Sequence, residues 1–158
     1  MAVYYLDTSA LVKRYALEDG TAWVLALTDP VAGHDLYTVR LTDPEMIAAF
    51  YRKARNREIS LDEASQAAQQ FRTDWRVQYQ IAEVKIGVAD RAMVLAEQHG
   101  LRGYDAVHLA TALELQGIRA GMELPPLTFV SADDDQLRVA MTEGLRVDNP
   151  SQHPQLEK

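Results

Sequence analysis

The run Val3-Tyr4-Tyr5-Leu6, broken at once by Asp7-Thr8-Ser9, most narrows the folds open to this chain. Strand-favouring residues without alternation read as a strand buried on both faces, as in a parallel α/β sheet. Ala10-Leu11-Val12-Lys13-Arg14-Tyr15 then reads as a short helix. In an open α/β sheet such a junction lies at the carboxyl edge of a strand, where ligands bind. Taken alone, Asp7 reads as a helix cap. Chemistry requires other acids to arrive at the same edge.

The rest of the chain alternates in the same way. Further strands are expected at 36–39 and 127–130, with weaker ones within 77–86 and at 145–147. Helices are expected over 22–27, from Thr42 to about Arg57, from Ser60 to Trp75 or Arg76, and over 89–99, 104–116 and 134–143. Thr21 reads as a cap, and Thr42-Asp43-Pro44-Glu45 and Ser60-Leu61-Asp62-Glu63 read as capping boxes. Gly100, Gly117 and Gly144 read as helix stops. Strands separated by helices predict an α/β fold with a mostly parallel sheet. One domain is expected over 1–148, with 149–158 as a surface tail holding two prolines.

A chain of 158 residues can bury a substantial core. It has no cysteine, which excludes disulfides, thiolate metal sites and a cysteine nucleophile. No leader and no membrane-length apolar run is apparent, so a cytoplasmic protein without membrane association is expected. The net charge of −7 argues against a broad basic face for nucleic acid. Arg52, Lys53, Arg55 and Arg57 nevertheless gather within six positions. They suit a solvated helix end, where cations favour the dipole, or a patch that contacts RNA phosphates.

Four acids fall where an element begins: Asp7, Glu45, Asp105 and Asp133. Each has a plain structural role open to it, since a helix N-terminus favours a carboxylate by about 0.3–1 kcal/mol. Glu45 is also the expected partner of Thr42 in its capping box. As a set they suggest more, because at least three should share one sheet edge. Clustered carboxylates repel and raise one another's pKa unless a cation compensates. Hard oxygen ligands select Mg²⁺ or Mn²⁺, ions that activate water and stabilise a phosphodiester's leaving oxygen. His108 lies one turn after Asp105 but reads as a packed helical histidine. No second aspartate of a haloacid-dehalogenase phosphatase follows Asp7, and no glycine-rich phosphate loop follows the strand.

The motifs Asp7-Thr8-Ser9-Ala10-Leu11, Glu45 before Ala48-Ala49, Tyr104-Asp105-Ala106-Val107-His108-Leu109-Ala110 and Val130-Ser131-Ala132-Asp133 resemble the PIN domain family. The likeness is greatest to VapC-type toxins of bacterial toxin–antitoxin pairs, and runs from Val3 to Asn149-Pro150. It implies a three-layer α/β/α sandwich and a Mg²⁺- or Mn²⁺-dependent endoribonuclease, usually a homodimer held inactive by a cognate antitoxin. Carried over by position, Asp7, Glu45, Asp105 and Asp133 are the metal-holding catalytic acids. Ser9 and Ser131 would support them. The run Asp133-Asp134-Asp135 departs from the single acid usual in the fourth motif. Distance from Ser131 favours Asp133, with Asp134 as the alternative. A catalytically silent PIN-like module that binds RNA or protein would carry the same acids.

Overall fold

The first strand forms where the apolar run placed it. The structure is a computed structural model and describes residues 1–153. Strand β1 (Val3–Leu6) is central in a five-stranded sheet of order β3-β2-β1-β4-β5, with β2 at Asp35–Val39, β3 at Tyr79–Ala82, β4 at Thr128–Val130 and β5 at Arg146–Asp148. All four pairings are parallel, so the sheet is wholly rather than mostly parallel.

Helices cover both faces, and β1 shows why. Val3 and Tyr5 join a core with Val88, Ala92, Leu95, Leu109, Leu113 and Leu137. Those residues come from α5 (Ile86–His99), α6 (Gly103–Gly121) and α7 (Asp134–Thr142). Leu6 enters a second core with Leu11, Leu27, Met46, Phe50, Phe71 and Trp75. That core is supplied by α1 (Thr8–Leu11), α2 (Thr21–Thr28), α3 (Thr42–Arg55) and α4 (Leu61–Val77). Successive strand residues point to opposite faces, so a strand with helices on both sides must be apolar throughout. The three-layer α/β/α sandwich follows.

Chain order places a crevice beside β1. The chain moves outward from β1 to β2 and β3, then returns to add β4 and β5 on the other side. This reversal is the topological switch point, where the loops leaving two neighbouring strands diverge and leave room for a ligand. The loops that diverge here carry Asp7 after β1 and Ser131 to Asp133 after β4.

Several local expectations are corrected. Thr42 does not cap α3: its hydroxyl is buried against that of Thr38 at 2.7 Å, and Leu41 holds the cap position without a side-chain bond. Thr21 lies inside α2, whose cap is Gly20. Gly117 does not stop α6, which runs to Gly121: Ile118 and Ala120 are exposed there, and the last turn is tied to the following loop by Leu124 N and Arg119 Nε, which donate to the Arg119 and Pro125 carbonyls. The Ser60–Glu63 capping box forms as expected. Nor do residues 149–153 hang free. Asn149 and Pro150 are buried, and the His153 ring stacks on Trp23 at 4.2 Å. A Cβ on Gly20, at φ +89°, would meet the Pro150 carbonyl oxygen at 2.4 Å, so glycine permits this closure. The rest of the expected tail, 154–158, lies outside the described residues. Among those described, no helix is long and apolar enough to cross a membrane.

Candidate active site

Asp7, Glu45, Asp105 and Asp133 line one cleft of about 610 Å³, joined by Thr8, Ser9, Arg52, Lys53, Arg102, Tyr104 and His108. The acids arrive from four parts of the chain: the end of β1, the first turn of α3, the first turn of α6 and the loop after β4.

Asp7 is almost fully buried. Its amide extends the sheet by donating to the Val130 carbonyl at 3.1 Å. Its Oδ1 accepts from Ser9 Oγ at 2.7 Å and from Ala10 N at 3.0 Å, capping α1. Ser9 Oγ also accepts from Ala132 N at 3.0 Å and lies 3.3 Å from Ser131 Oγ, which in turn accepts from Asp133 N at 3.1 Å. The two serines thus fasten together the loops after β1 and β4. Burial pushes the Asp7 carboxyl up from its ordinary value, against the opposing effects of His108, Ser131, Ser9 and the Ala10 amide.

Glu45 is free of the capping role expected for it. Its Oε1 accepts from Thr8 Oγ1 at 3.0 Å and lies 2.8 Å from His108 Nε2. Asp133 caps α7, with Oδ1 accepting from Asp135 N and Gln136 N. Asp134 is turned aside, its Oδ1 accepting from Asn149 Nδ2 at 3.0 Å, and Asp135 pairs with Arg138. Of the three consecutive aspartates, Asp133 alone lines the cleft.

A common pattern emerges. Asp7, Glu45 and Asp133 each commit one carboxylate oxygen to donors of the fold, and the second has no hydrogen bond among the described residues. Asp105 stands apart: its backbone carbonyl accepts from Gln136 Nε2 at 2.8 Å, but neither carboxylate oxygen has a hydrogen bond among the described residues. Although it sits in the first turn of α6, it caps no amide. Burial, then the charges of Asp7 and Asp133, push its carboxyl up to about 6. A carboxyl whose ionisation is hindered by burial and by neighbouring acids suits a site completed by a cation.

Among the described residues, no three acid or histidine side chains already converge as ligands of a metal ion. The donor set still fits a small hard cation. Mg²⁺ retains several waters and is commonly held by one or two carboxylates rather than an all-protein cage. The free carboxylate oxygens of Asp7, Glu45, Asp105 and Asp133 provide such donors.

The basic cluster divides. Arg52 and Lys53 line the cleft, and the Lys53 ammonium lies 2.5 Å from Glu18 and 3.3 Å from Glu58. Arg55 borders a separate shallow groove with Tyr51, Ala54 and Leu61. Arg57 lies beyond the end of α3 at φ +60° and lines neither. Sequence reasoning did not single out Thr8, Arg102 or Tyr104 and undervalued His108. Thr8 follows Asp7 directly and His108 is one turn from Asp105, so adjacency to the motifs was the available signal.

The family model for the PIN domain matches residues 4–141. The chain belongs to the PIN domain family. This PIN domain is 38% identical over 114 residues to Ribonuclease VapC45 of Mycobacterium tuberculosis (strain CDC 1551 / Oshkosh), an overlap of 72% of this chain and 76% of that relative. PAE2754 from Pyrobaculum aerophilum shares its fold with a TM-score of 0.58 at 24% identity, covering 93% of this PIN domain and 92% of that chain. A toxin–antitoxin complex from Klebsiella pneumoniae contains a chain with a TM-score of 0.59 at 16% identity, over 93% and 97%.

Proposed function

We propose that this PIN domain is a Mg²⁺- or Mn²⁺-dependent endoribonuclease, the toxin of a toxin–antitoxin pair, with Asp7, Glu45, Asp105 and Asp133 as its acidic set. The observation that carries the reading is the convergence of these acids at the switch point, three of them held through one oxygen with the other free. The name of the Mycobacterium relative supports RNA as the substrate.

The division of labour follows from the hydrogen bonds. Ser9 and Ser131 set the spacing between the β1 and β4 loops and so between Asp7 and Asp133. Thr8 and His108 hold Glu45, and Asp105 supplies the carboxylate least constrained by the fold. The free oxygens would hold the cation. When bound, it supplies an activated water and charge stabilisation at the leaving oxygen. Arg52 and Arg102 at the cleft wall are placed to meet RNA phosphates. A cognate antitoxin is part of the reading, supported by the toxin–antitoxin complex from Klebsiella pneumoniae, and assembly into a homodimer is carried over from the family resemblance alone.

The test is cleavage of a labelled RNA by purified protein, free of antitoxin, in Mg²⁺, in Mn²⁺ and in chelator. Cleavage that needs the ion and disappears in Asp7→Asn is expected. RNA binding without cleavage in either ion would favour a silent module.

A further inference from the structure

We infer that the buried pair Tyr5–His108 is a positioning relay that fixes which oxygen of Glu45 the cleft can use. The inference rests on Glu45 belonging to the proposed acidic set. Tyr5, in β1, is fully buried and does not line the cleft. Its ring stacks on Phe129 with centroids 5.5 Å apart and planes 8° from parallel. Packing therefore needs the ring, but not the hydroxyl. That hydroxyl lies 2.9 Å from His108 Nδ1, and His108, itself 2% exposed, places Nε2 2.8 Å from Glu45 Oε1.

The direction of the chain follows from what each group can donate. A carboxylate oxygen only accepts, so His108 Nε2 carries the proton. In the neutral ring Nδ1 is then an acceptor, and the Tyr5 hydroxyl is its donor. Thr8 Oγ1 gives its single proton to the same Oε1 and, 3.3 Å from His108 Nε2, can accept a share of that N–H. Oε1 is thus held by two donors, and Oε2 is the oxygen left for the cleft. Three elements, β1, α6 and α3, are joined by a polar line that ends at the site. An apolar pair would fill the same core without the cost of burying polar groups. Without the Tyr5 hydroxyl, Nδ1 loses its donor and the ring loses the buried bond that aims Nε2–H at Glu45.

The experiment compares Tyr5→Phe, His108→Gln, the double variant and Glu45→Gln. Manganese alone is titrated by calorimetry, and kcat and KM for RNA cleavage are measured separately. Tyr5→Phe is expected to melt cooperatively, since the ring stack remains. It should weaken Mn²⁺ binding about 10-fold and lower kcat by a similar factor, with little change in KM, as outer partners of ligands do. His108→Gln places an amide N–H near the position of Nε2. It should therefore keep Mn²⁺ affinity within about threefold of wild type, and adding Tyr5→Phe to it should cost nothing more. The relay is overturned if Tyr5→Phe binds and cleaves like wild type, or if its effect persists undiminished on the His108→Gln background. Should Tyr5→Phe not fold, His108→Leu, which removes the donor, is compared with His108→Gln: Mn²⁺ binding about 10-fold weaker in the leucine variant alone supports the relay, and equal affinities overturn it. Glu45→Gln separates the two readings. If that variant is unimpaired, Glu45 has no place in the site and the relay falls with it. If it is impaired while Tyr5→Phe is not, the relay alone fails.

Discussion

Asp133 has two tasks, and two substitutions separate them. Its Oδ1 caps α7, and its side chain also lines the cleft. Asparagine caps helices about as well as aspartate, whereas alanine costs typically ~1 kcal/mol. Asp133→Asn is expected to retain thermal stability in chelator but lose cleavage, and Asp133→Ala to lose both. Equal destabilisation by the two would show that charge, and not the cap, is what α7 needs. The basic residues divide in the same way. Arg52→Gln should flatten the salt dependence of RNA binding, by roughly 0.7 in slope for a phosphate contact on a single strand. Arg55→Gln, on the other groove, should leave the slope unaltered. Filter binding across a salt series tests both, and a change confined to Arg55→Gln would move the RNA path away from the cleft.

Helix α6 shows how far local sequence determines an element. Gly117 lies within it, and a Cβ there meets nothing within 4 Å. Gly117→Ala should therefore raise stability by about 0.5–1 kcal/mol, since alanine loses less backbone freedom in a helix. A denaturant midpoint shifted downward would show that the residue has a contact or a hinge role. Sequence reasoning stopped the helix at this glycine because a glycine stop and a tolerated interior glycine look alike without knowledge of packing. Thr42 misled for a related reason. Its pattern with Glu45 is that of a capping box, yet a buried partner in Thr38 and the donors of the site claim the two side chains. Ser60 and Glu63, on the surface with no competing partner, form the box their spacing predicts. The inner strands β1, β2 and β4 were easier to place, because burial on both faces leaves a largely apolar run, whereas the edge strands β3 and β5 carry Gln80, Arg146 and Asp148 and read only weakly. The four acids were legible as a set through their motifs. The Tyr5–His108 link was not, since it joins residues 103 positions apart whose register only the fold supplies.

For the whole molecule, the order of strands is what makes a site. Reversal beside β1 brings the loops after β1 and β4 together, and α3 and α6 add their first turns. The resulting crowding of carboxylates links stability to pH. Asp105 has a folded pKa of about 6 against an ordinary 3.8, first through burial and then through Asp7 and Asp133. Between those values the folded state binds more protons than the unfolded one, so raising the pH destabilises it. This contribution is full below the ordinary value and is lost as pH rises through about 6. Chelated wild type should accordingly lose stability relative to Asp105→Asn over that window, and Mn²⁺ should restore it at neutral pH. Equal pH profiles for the two proteins would mean that Asp105 does not experience its neighbours' charge.

The most direct test of a cation-completed acidic cluster is the melting midpoint of Asp105→Asn against wild type in chelator at neutral pH. Asparagine keeps the shape and removes one charge. Relief of repulsion on the order of 1 kcal/mol, after solvent screening, raises the midpoint by about 2–4 °C for a domain of this size. A cation-completed cluster gives that rise. A midpoint below that of wild type would contradict it, because Asp105 would then be stabilising its helix by its charge and the four acids would not form one site.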